Sequence, residues 1–373
     1  MPHESAKIDP GRIGERLSEL APLERVRDAA GGVRIYLVGG AVRDLLLGRQ
    51  RTDLDVAVEG DAAALARRLG GRILAHKRFA TATVVIDRLE LDLATTRSES
   101  YSRPGALPEV RPAKLSEDLA RRDFTVNAMA VPLTGDRELI DPHGGARDLE
   151  RGLLRVLHER SFVDDPTRAL RAARYAARYG FALDSDTERL LREADLATVS
   201  CDRVEAELRK LAAEPVARRG FELLDEWGLI DLEAGAPDLI DVVSDLAASE
   251  RWRSSLRRED AVLAAALGRG VKRARELSAA RPARPSEAVE LARGVDAVTL
   301  ALARGLGAGW LDSYVGEWRH VRLEITGDDL LAAGIPEGPA IGRGLAAALR
   351  AKLDGDAAGR EQELSIALRA AHR

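Results

Sequence analysis

The first third of the chain changes its hydrophobic period every few positions. Residues 11–30 space their apolar side chains as one amphipathic helix, and 33–39 form a short apolar run that predicts a strand. Helical spacing returns over 41–47, a second strand is predicted over 53–58, and another helix covers roughly 61–70. In RILAHKRFATATVVIDRLELDLATTR the β-branched alternation predicts two more strands with a turn near Asp87-Arg88. SESYSRPGALPEVRPAK is rich in Pro and polar residues and predicts a loop. LSEDLARRDFTVNAMAV mixes a helix with a strand, and DPHGGARDLERG is a turn that leads into a helix. From about residue 150 the texture becomes Ala/Leu/Arg with a 3.6-residue period to the end, without a fixed-length repeat. Gly/Pro clusters near 281–285 and 334–339 mark breaks between helical parts. The pattern predicts an α/β first third and an all-helical remainder.

Composition narrows the class. The 373 residues suffice for two or three domains, and 45% hydrophobic with 32% charged residues is the balance of a soluble globular protein. Aromatics make up 4%, too few for ring-stacking platforms along single-stranded nucleic acid to dominate. The net charge of −4 does not advertise a polyanion partner, yet Lys occurs at six positions only, so Arg supplies nearly all positive charge. Arg suits bidentate phosphate contacts, although a general compositional bias gives the same count. The single cysteine, Cys201, excludes an intramolecular disulfide and a Cys-based zinc site. The N-terminal stretch has no apolar core of a signal peptide, and no run reaches about 18 apolar residues, so a cytoplasmic protein is expected.

Within YLVGGAVRDLLLGRQRTDLDVAVEG, a strand ending in Gly39-Gly40 feeds a helix. Glycines allow close backbone approach and a helix start presents free N–H groups, so this is a candidate phosphate seat, with Arg43 one turn inside. A plain strand-to-helix turn has the same signature. Asp53 and Asp55 lie two apart in a strand and so project to one face. Two carboxylates that close repel unless a cation stands between them, and Mg²⁺ prefers carboxylate oxygens while keeping substrate phosphates in its shell. Two such ions about 4 Å apart activate an attacking hydroxyl and hold a leaving phosphate. Asp92, in a later strand, is a candidate third carboxylate or a strand-edge charge.

These segments resemble the class II tRNA nucleotidyltransferase/poly(A) polymerase family, whose members add nucleotides to RNA 3′ ends. LVGGAVRDLLLG with TDLDVAV is similar to its first motif, and EDLARRDFTVNAMA to its RRD-x-x-x-N motif. LIDPHGGARDLERGLLRV, FVDDPTRALRAARYAARYGF and VSCDRVEAELRKLA resemble the connector, the E-D-x-x-R helix and the last neck motif. The likeness is dense over residues 33–225 and returns in ITGDDLLAAGIPEGPAIG. It implies an α/β nucleotidyltransferase head with a small mixed sheet (1–148), then an all-α neck (149–215), body (216–300) and tail (301–373).

The resemblance assigns roles. Mg²⁺, two ions in all, falls to Asp53 and Asp55, and the triphosphate to Gly39, Gly40 and Arg43. Arg121, Arg122, Asp123 and Asn127 would hold the nucleotide's ribose and triphosphate; the lesser alternative is that Arg122 and Asp123 cap and bridge a helix-to-strand junction. Asp165 and Arg168, at i and i+3, would hydrogen-bond the base and select CTP and then ATP as substrates. Asp164 stands where the family has Glu and is expected as the helix cap before Pro166. Arg168, Arg171, Arg174 and Arg178 form a one-sided basic stripe with no acid from 166 to 183, suited to triphosphate and to the tRNA acceptor end. Arg203 is expected to buttress from a neighbouring helix. The implied activity is template-independent addition of CCA to the tRNA 3′ end. Partial CC or A addition, poly(A) synthesis and a catalytically silent RNA-binding relative are the alternatives. The scattered histidines give no metal-dependent hydrolase pair, and the basic extension of bacterial poly(A) polymerases is not expected after ALRAAHR.

Overall fold

The computed structural model describes residues 11, 13–18, 21–49, 53–70, 72–76, 81–86 and 89–372. The chain forms two compact units, Met1–Leu229 and Ile230–Arg373.

In the first unit the N-terminal amphipathic stretch is helical over α1 (Ile13–Ser18) and α2 (Ala21–Ala29), with 19–20 between them outside the described residues. Pro22 lacks a backbone N–H and sits in the first turn of α2, where no intrahelical bond is required of it. Then come β1 (Ile35–Val38), α3 (Gly40–Leu46), β2 (Asp53–Val58), α4 (Ala62–Leu69), β3 (Arg72–His76), β4 (Thr81–Ile86) and β5 (Leu89–Thr95). The region expected to hold two strands thus holds three, and the turn expected at Asp87-Arg88 lies outside the described residues. α4 shows why such a segment folds. The Asp61 side chain accepts the Ala64 N–H at 3.0 Å, Ala62, Leu65 and Ala66 are buried, and Gly70 ends the helix at φ 67°.

β6 (Arg97–Ser100) and β7 (Glu109–Pro112) pair antiparallel, so the segment expected as a loop carries a two-stranded ribbon whose tip is 101–108. Its Pro residues sit at a strand end and in the tip, where no ladder donor is needed. α5 (Leu115–Ala120), a 3₁₀ turn at Thr125–Asn127, β8 (Ala130–Pro132) and α6 (Gly145–Arg151) follow. Strands β1–β5 and β8 form one mixed sheet in the order β3-β4-β5-β2-β1-β8. Only β2 and β5 run parallel in it, with Asp53 opposite Glu90 and Asp55 opposite Asp92. All four β1 residues are buried, because both faces are covered. Tyr36 and Val38 pack with Ala57, Leu115, Leu119 and Ala130, placing α5 on the face that Asp55 shares by strand parity.

β9 (Leu153–Leu154), α7 (Ser161–Asp164), α8 (Thr167–Tyr179), β10 (Ala182–Leu183), α9 (Ser185–Leu191), α10 (Cys201–Ala213) and α11 (Ala217–Glu226) complete the unit. The small parallel β9–β10 pair is an exception to the expected all-helical remainder. α8 packs against α10 and α11, and its Tyr175 ring meets Phe124 edge-on at 5.9 Å, tying helix to sheet domain.

The second unit is helical among the described residues: α12 (Ala236–Ala248), α13 (Arg258–Ala266), α14 (Val271–Ala279), α15 (Pro285–Ala292), α16 (Ala297–Gly305), α17 (Leu311–Gly316), α18 (Gly327–Ala332), α19 (Pro339–Leu353) and α20 (Gly359–Ala371). Residues Ala261–Ala266 of α13 are all buried, with α12 and α16 against them. Ile325, Leu330, Ile335, Ala348 and Ala367 form a separate cluster under α18–α20. A Cβ on Gly344 would meet Ala367 O at 2.7 Å, so glycine permits the close α19–α20 approach. The two Gly/Pro clusters fall between helices of this unit. Among the described residues no helix is long and apolar enough to cross a membrane.

Candidate active site

Three adjoining cavities line the first unit, and Arg122 borders all of them. The first, about 430 Å³, opens over the sheet face and is lined by Asp55, Thr83, Asp92, Arg97, Asp118 and Arg121 among others. Parallel register sets Asp55 beside Asp92, and antiparallel register sets Thr83 beside Asp92. Register partners point to one face, so main-chain pairing alone brings the two carboxylates together. Thr83 Oγ1 donates to Asp92 Oδ1 at 2.5 Å, which orients that carboxylate. Asp53 holds the same strand parity as Asp55, and its side chain lies outside the described ones. Two carboxylates and a hydroxyl around a polar cavity are the oxygen donors a hard divalent cation takes, so the residues fit Mg²⁺. No group of three or more His, Cys, Asp or Glu side chains is clustered for a metal among the described residues.

The second cavity, about 200 Å³, is lined by Gly40, Arg43, Asp55, Arg122, Asp123, Asn127, Arg174, Tyr175 and Arg178. Gly39 has φ 67°, and a Cβ there would meet Arg122 Nη1 at 2.5 Å, so this glycine makes room for a guanidinium. Arg43 corrects one expectation. Instead of reaching outward, its side chain is 2% exposed and tied to protein partners. Nε donates to Asp44 Oδ1 at 2.8 Å, Nη1 to Asn127 Oδ1 at 2.5 Å and Nη2 to the Tyr179 hydroxyl at 2.5 Å. The guanidinium also lies 4.4 Å from the Tyr179 ring centre. Burial works against its charge, and Asp44 and the tyrosines more than restore it, so it is held above the usual arginine value. Asn127, steered by Arg43, donates from Nδ2 to Asp123 Oδ1 at 3.0 Å.

The third cavity, about 360 Å³, is lined by Arg97, Glu99, Tyr101, Pro108, Arg121–Asp123, Asp165, Arg168, Arg171 and Arg203. Asp165 and Arg168 meet here, but not as two residues of one helix. Asp165 precedes α8 and its Oδ1 accepts the N–H (3.2 Å) and hydroxyl (2.6 Å) of Thr167. Asp165, not Asp164, therefore caps α8, and Asp164 instead accepts from Arg160 at 3.0 Å. The non-helical backbone at Asp165 (φ −137°, ψ 88°) lets its carboxylate reach Thr167 in the first turn. Arg203 acts as the expected buttress, donating to Asp165 Oδ1 (2.9 Å) and to Gly105 O (2.8 Å).

The arginine stripe of α8 is not bare. Arg171 pairs with Asp165 at 3.0 Å and Asp123 at 3.6 Å, Arg178 with Glu214 at 3.1 Å, and Arg174 lies 3.7 Å from Glu214. The acids missing from 166–183 come from other elements, which no local pattern reveals. Yet the Nε atoms of Arg122, Arg168, Arg171 and Arg174 are buried with no hydrogen-bond acceptor among the described residues. Of these, Arg171 Nε faces the Asp123 carboxylate at 3.6 Å, so the basic side chains around these cavities are only partly matched by hydrogen-bond acceptors.

Asp118 escaped the sequence analysis. Its 3%-exposed carboxylate accepts from Arg121 Nη2 at 2.7 Å and Arg122 Nη2 at 3.0 Å. The signal was there, since Asp118 stands at i−3 and i−4 from the two arginines on one helical turn. Arg121 also donates to Glu99 Oε1 (2.7 Å) and Arg97 O (3.1 Å), so it fastens α5 to β6 while lining the first and third cavities. Burial pushes the Asp118, Asp123 and Asp165 carboxyls up, and the arginines and hydrogen bonds around them outweigh it, holding each below the usual range. The Tyr101 hydroxyl, which donates to Glu99 Oε2 at 3.1 Å, is pushed up to about 12 by burial first and Glu99 second.

Comparison with known proteins agrees with this geometry. The family model described as the poly A polymerase head domain matches residues 35–155. The CC-adding tRNA nucleotidyltransferase of Deinococcus radiodurans is 36% identical, over 89% of this chain and 90% of its own. The chain belongs to the class II tRNA nucleotidyltransferase/poly(A) polymerase family. The A-adding tRNA nucleotidyltransferase of Geobacter sulfurreducens is 35% identical over 90% of this chain, which spans only 45% of that relative. For two further A-adding relatives, of Halalkalibacterium halodurans and Aquifex aeolicus, the spans are 51% and 20%, at 41% and 50% identity. A CCA-adding enzyme in an apo form superposes with TM-score 0.81 at 30% identity, covering 96% of this chain and 98% of that one. The Thermotoga maritima CCA-adding enzyme complexed with tRNA gives 0.73 at 28%, covering 97% and 98%. CCA-adding enzymes complexed with ATP and with CTP give 0.78 and 0.76, both at 28%. They cover 98% and 97% of this chain, and 99% and 98% of their own.

Proposed function

We propose that this protein adds the CCA end to tRNA without a nucleic-acid template. The observation that carries the reading is the union of two kinds of site in one cleft. Paired carboxylates at Asp55 and Asp92 line one cavity, and Asp165 with Arg168 line another, with Arg122 bordering both. In the reaction the tRNA 3′-hydroxyl oxygen bonds to the α-phosphorus of CTP or ATP, the bond to the β-phosphate oxygen breaks, and pyrophosphate leaves. Asp53 and Asp55, with Asp92 as a third acid, would hold Mg²⁺, whose charge lowers the barrier by neutralising the phosphates.

Gly39 and Gly40 shape the triphosphate seat, and Arg43 supports it by fixing Asn127 and Asp123 toward the ribose. Arg122, Arg174 and Arg178, which line the second cavity, receive phosphate oxygens, and Arg171 extends the basic wall into the third. Arg121 supports the same site through α5 and β6. Asp165 accepts from the amino group shared by cytosine and adenine, and Arg168 donates to a ring nitrogen. The same proposal divides the chain into head, neck, body and tail as set out above, and places its work in the cytoplasm. Solved CCA-adding enzymes of this fold that bind tRNA, ATP and CTP support the choice of substrates.

A second reading has its own support. Relatives named A-adding reach 50% and 41% identity over 43% and 55% of this chain, above the 37% of a CCA-adding relative over 60%. One assay separates the readings: protein with Mg²⁺, tRNAs ending before CCA, after C and after CC, and each labelled nucleotide alone. Full CCA addition predicts C on the first two and A on the third. Incorporation of A on the third alone identifies an A-adding enzyme, C alone a CC-adding one, and long A tails a poly(A) polymerase.

A further inference from the structure

Arg168 is 3% exposed, and its guanidinium is gripped from outside its own helix. Nη1 donates to Ser161 Oγ at 2.6 Å and lies 3.3 Å from His158 Nε2, while Nη2 donates to Arg121 O at 2.8 Å. Nε, buried, meets no acceptor among the described residues, and Arg168 lines the cavity that also holds Asp165. A guanidinium carries donors only. The contact with His158 is therefore a hydrogen bond only when Nε2 bears the lone pair and the ring proton sits on Nδ1. A protonated ring would set a like charge and a second donor against Arg168.

Burial lowers the His158 pKa, Arg168 and Arg160 lower it further, and Asp164 opposes them, leaving it below the ordinary histidine value. The ring is therefore held toward its neutral form and takes up a proton less readily than an ordinary histidine. Arg168 on α8, Asp164 on α7 and Arg160 just before α7 are the charged groups around it.

We propose that His158 and Ser161 are positioning residues for nucleotide choice: they hold Nη1 of the Arg168 guanidinium and so fix the direction of the donors it brings to the base of the incoming nucleotide. The proposal rests on the assignment of Arg168 to base contact made above. A locked guanidinium donates to cytosine N3 or adenine N1, both lone-pair atoms, and opposes the N–H at those positions in uracil and guanine. Two opposed, desolvated donors are strongly disfavoured, and this is how a fixed site discriminates. A loose guanidinium turns toward whichever acceptor arrives, and the discrimination fades.

The test uses the full chain, Mg²⁺ and whichever tRNA substrate it extends, with each of the four nucleotides alone. kcat and KM are measured from pH 5.5 to 8.5 for the unmodified protein and for His158→Ala, His158→Gln, Ser161→Ala and Arg168→Ala. His158→Ala is expected to reduce the kcat/KM preference for C or A over U and G about tenfold. The unmodified protein is expected to lose preference as pH falls below the histidine range. His158→Gln keeps an acceptor oxygen that does not titrate, so its preference should stay flat across pH, whether or not the alanine variant folds. If the histidine and serine variants keep the wild-type preference and pH profile while Arg168→Ala loses preference, the positioning role is wrong and the base-contact assignment survives. If Arg168→Ala keeps its preference, that assignment fails and this inference with it.

Discussion

The sheet face around Asp55 and the helical wall around Asp165 hold acids by different means. On the sheet, Asp55 and Asp92 come from strands 37 positions apart, yet main-chain register alone makes them neighbours. On the wall, Asp165 is fixed by side-chain bonds, from Thr167 and Arg171 close by and from Arg203, 38 positions away. Arg168 in turn reaches the main chain of Arg121, 47 positions away. A register-built site tolerates loss of one side chain without losing shape, because the backbone ladder remains. A network-built site does not, because removing one acid leaves buried arginines uncompensated. On the proposed reading, chemistry that needs fixed carboxylates falls to the first, and discrimination that needs oriented donors to the second.

This contrast predicts opposite mutational signatures. Asp55→Ala should lower kcat by on the order of 10³-fold through loss of charge stabilisation, while thermal unfolding stays close to wild type. Steady-state incorporation and a melting scan on one preparation check both halves. Asp118→Ala should show the reverse emphasis. With Arg121 and Arg122 stripped of a 3%-exposed partner, destabilisation of about 3 kcal/mol is expected, read as a clear fall in melting temperature of the first unit.

Acid sharpens the same division. The Asp118, Asp123 and Asp165 carboxyls have folded pKa values below the unfolded value of about 3.9. Their stabilisation is fully present above that unfolded value, since the unfolded chain binds the protons first, and it is lost as pH falls through the lower folded values. Denaturation midpoints should hold down to about pH 5 and drop steeply below about pH 4, and Asp118→Asn should flatten that drop. The smallest effect is expected of Tyr179→Phe, which removes the hydroxyl that accepts from Arg43 and donates to Asp44 at 3.0 Å. A loss of about 1 kcal/mol is expected in denaturant titration, with nucleotide preference unchanged.

What the sequence made legible follows the same line. Strand β2 matches its predicted span, because an Asp-Leu-Asp-Val-Ala-Val alternation fixes both the element and the face of Asp55. The resemblance implied that Arg122, Asp123, Asn127, Asp165 and Arg168 serve one nucleotide site; in the structure Arg122 and Asp123 line two adjoining cavities, with Asn127 in one and Asp165 and Arg168 in the other. Illegible were the partners. Glu214 lies 36 positions from Arg178, and nothing in the α8 sequence tells that its stripe is neutralised from α10 and its end. Arg43 looked available because its spacing from Gly39 was visible, whereas its burial under Tyr179, 136 positions on, was not. The β6–β7 ribbon hid behind Pro and polar residues that suit a strand end and a tip as well as a loop.

The most direct test of this division of labour is a competition experiment in which Asp55→Ala and Arg168→Ala are offered equal labelled C and U nucleotides, or A and G, on the extendable tRNA, with equilibrium nucleotide binding measured beside it. The account predicts that Asp55→Ala binds with wild-type preference but incorporates nothing above background, and that Arg168→Ala incorporates both bases with little preference. Wild-type incorporation by Asp55→Ala, or undiminished selectivity in Arg168→Ala, would contradict it.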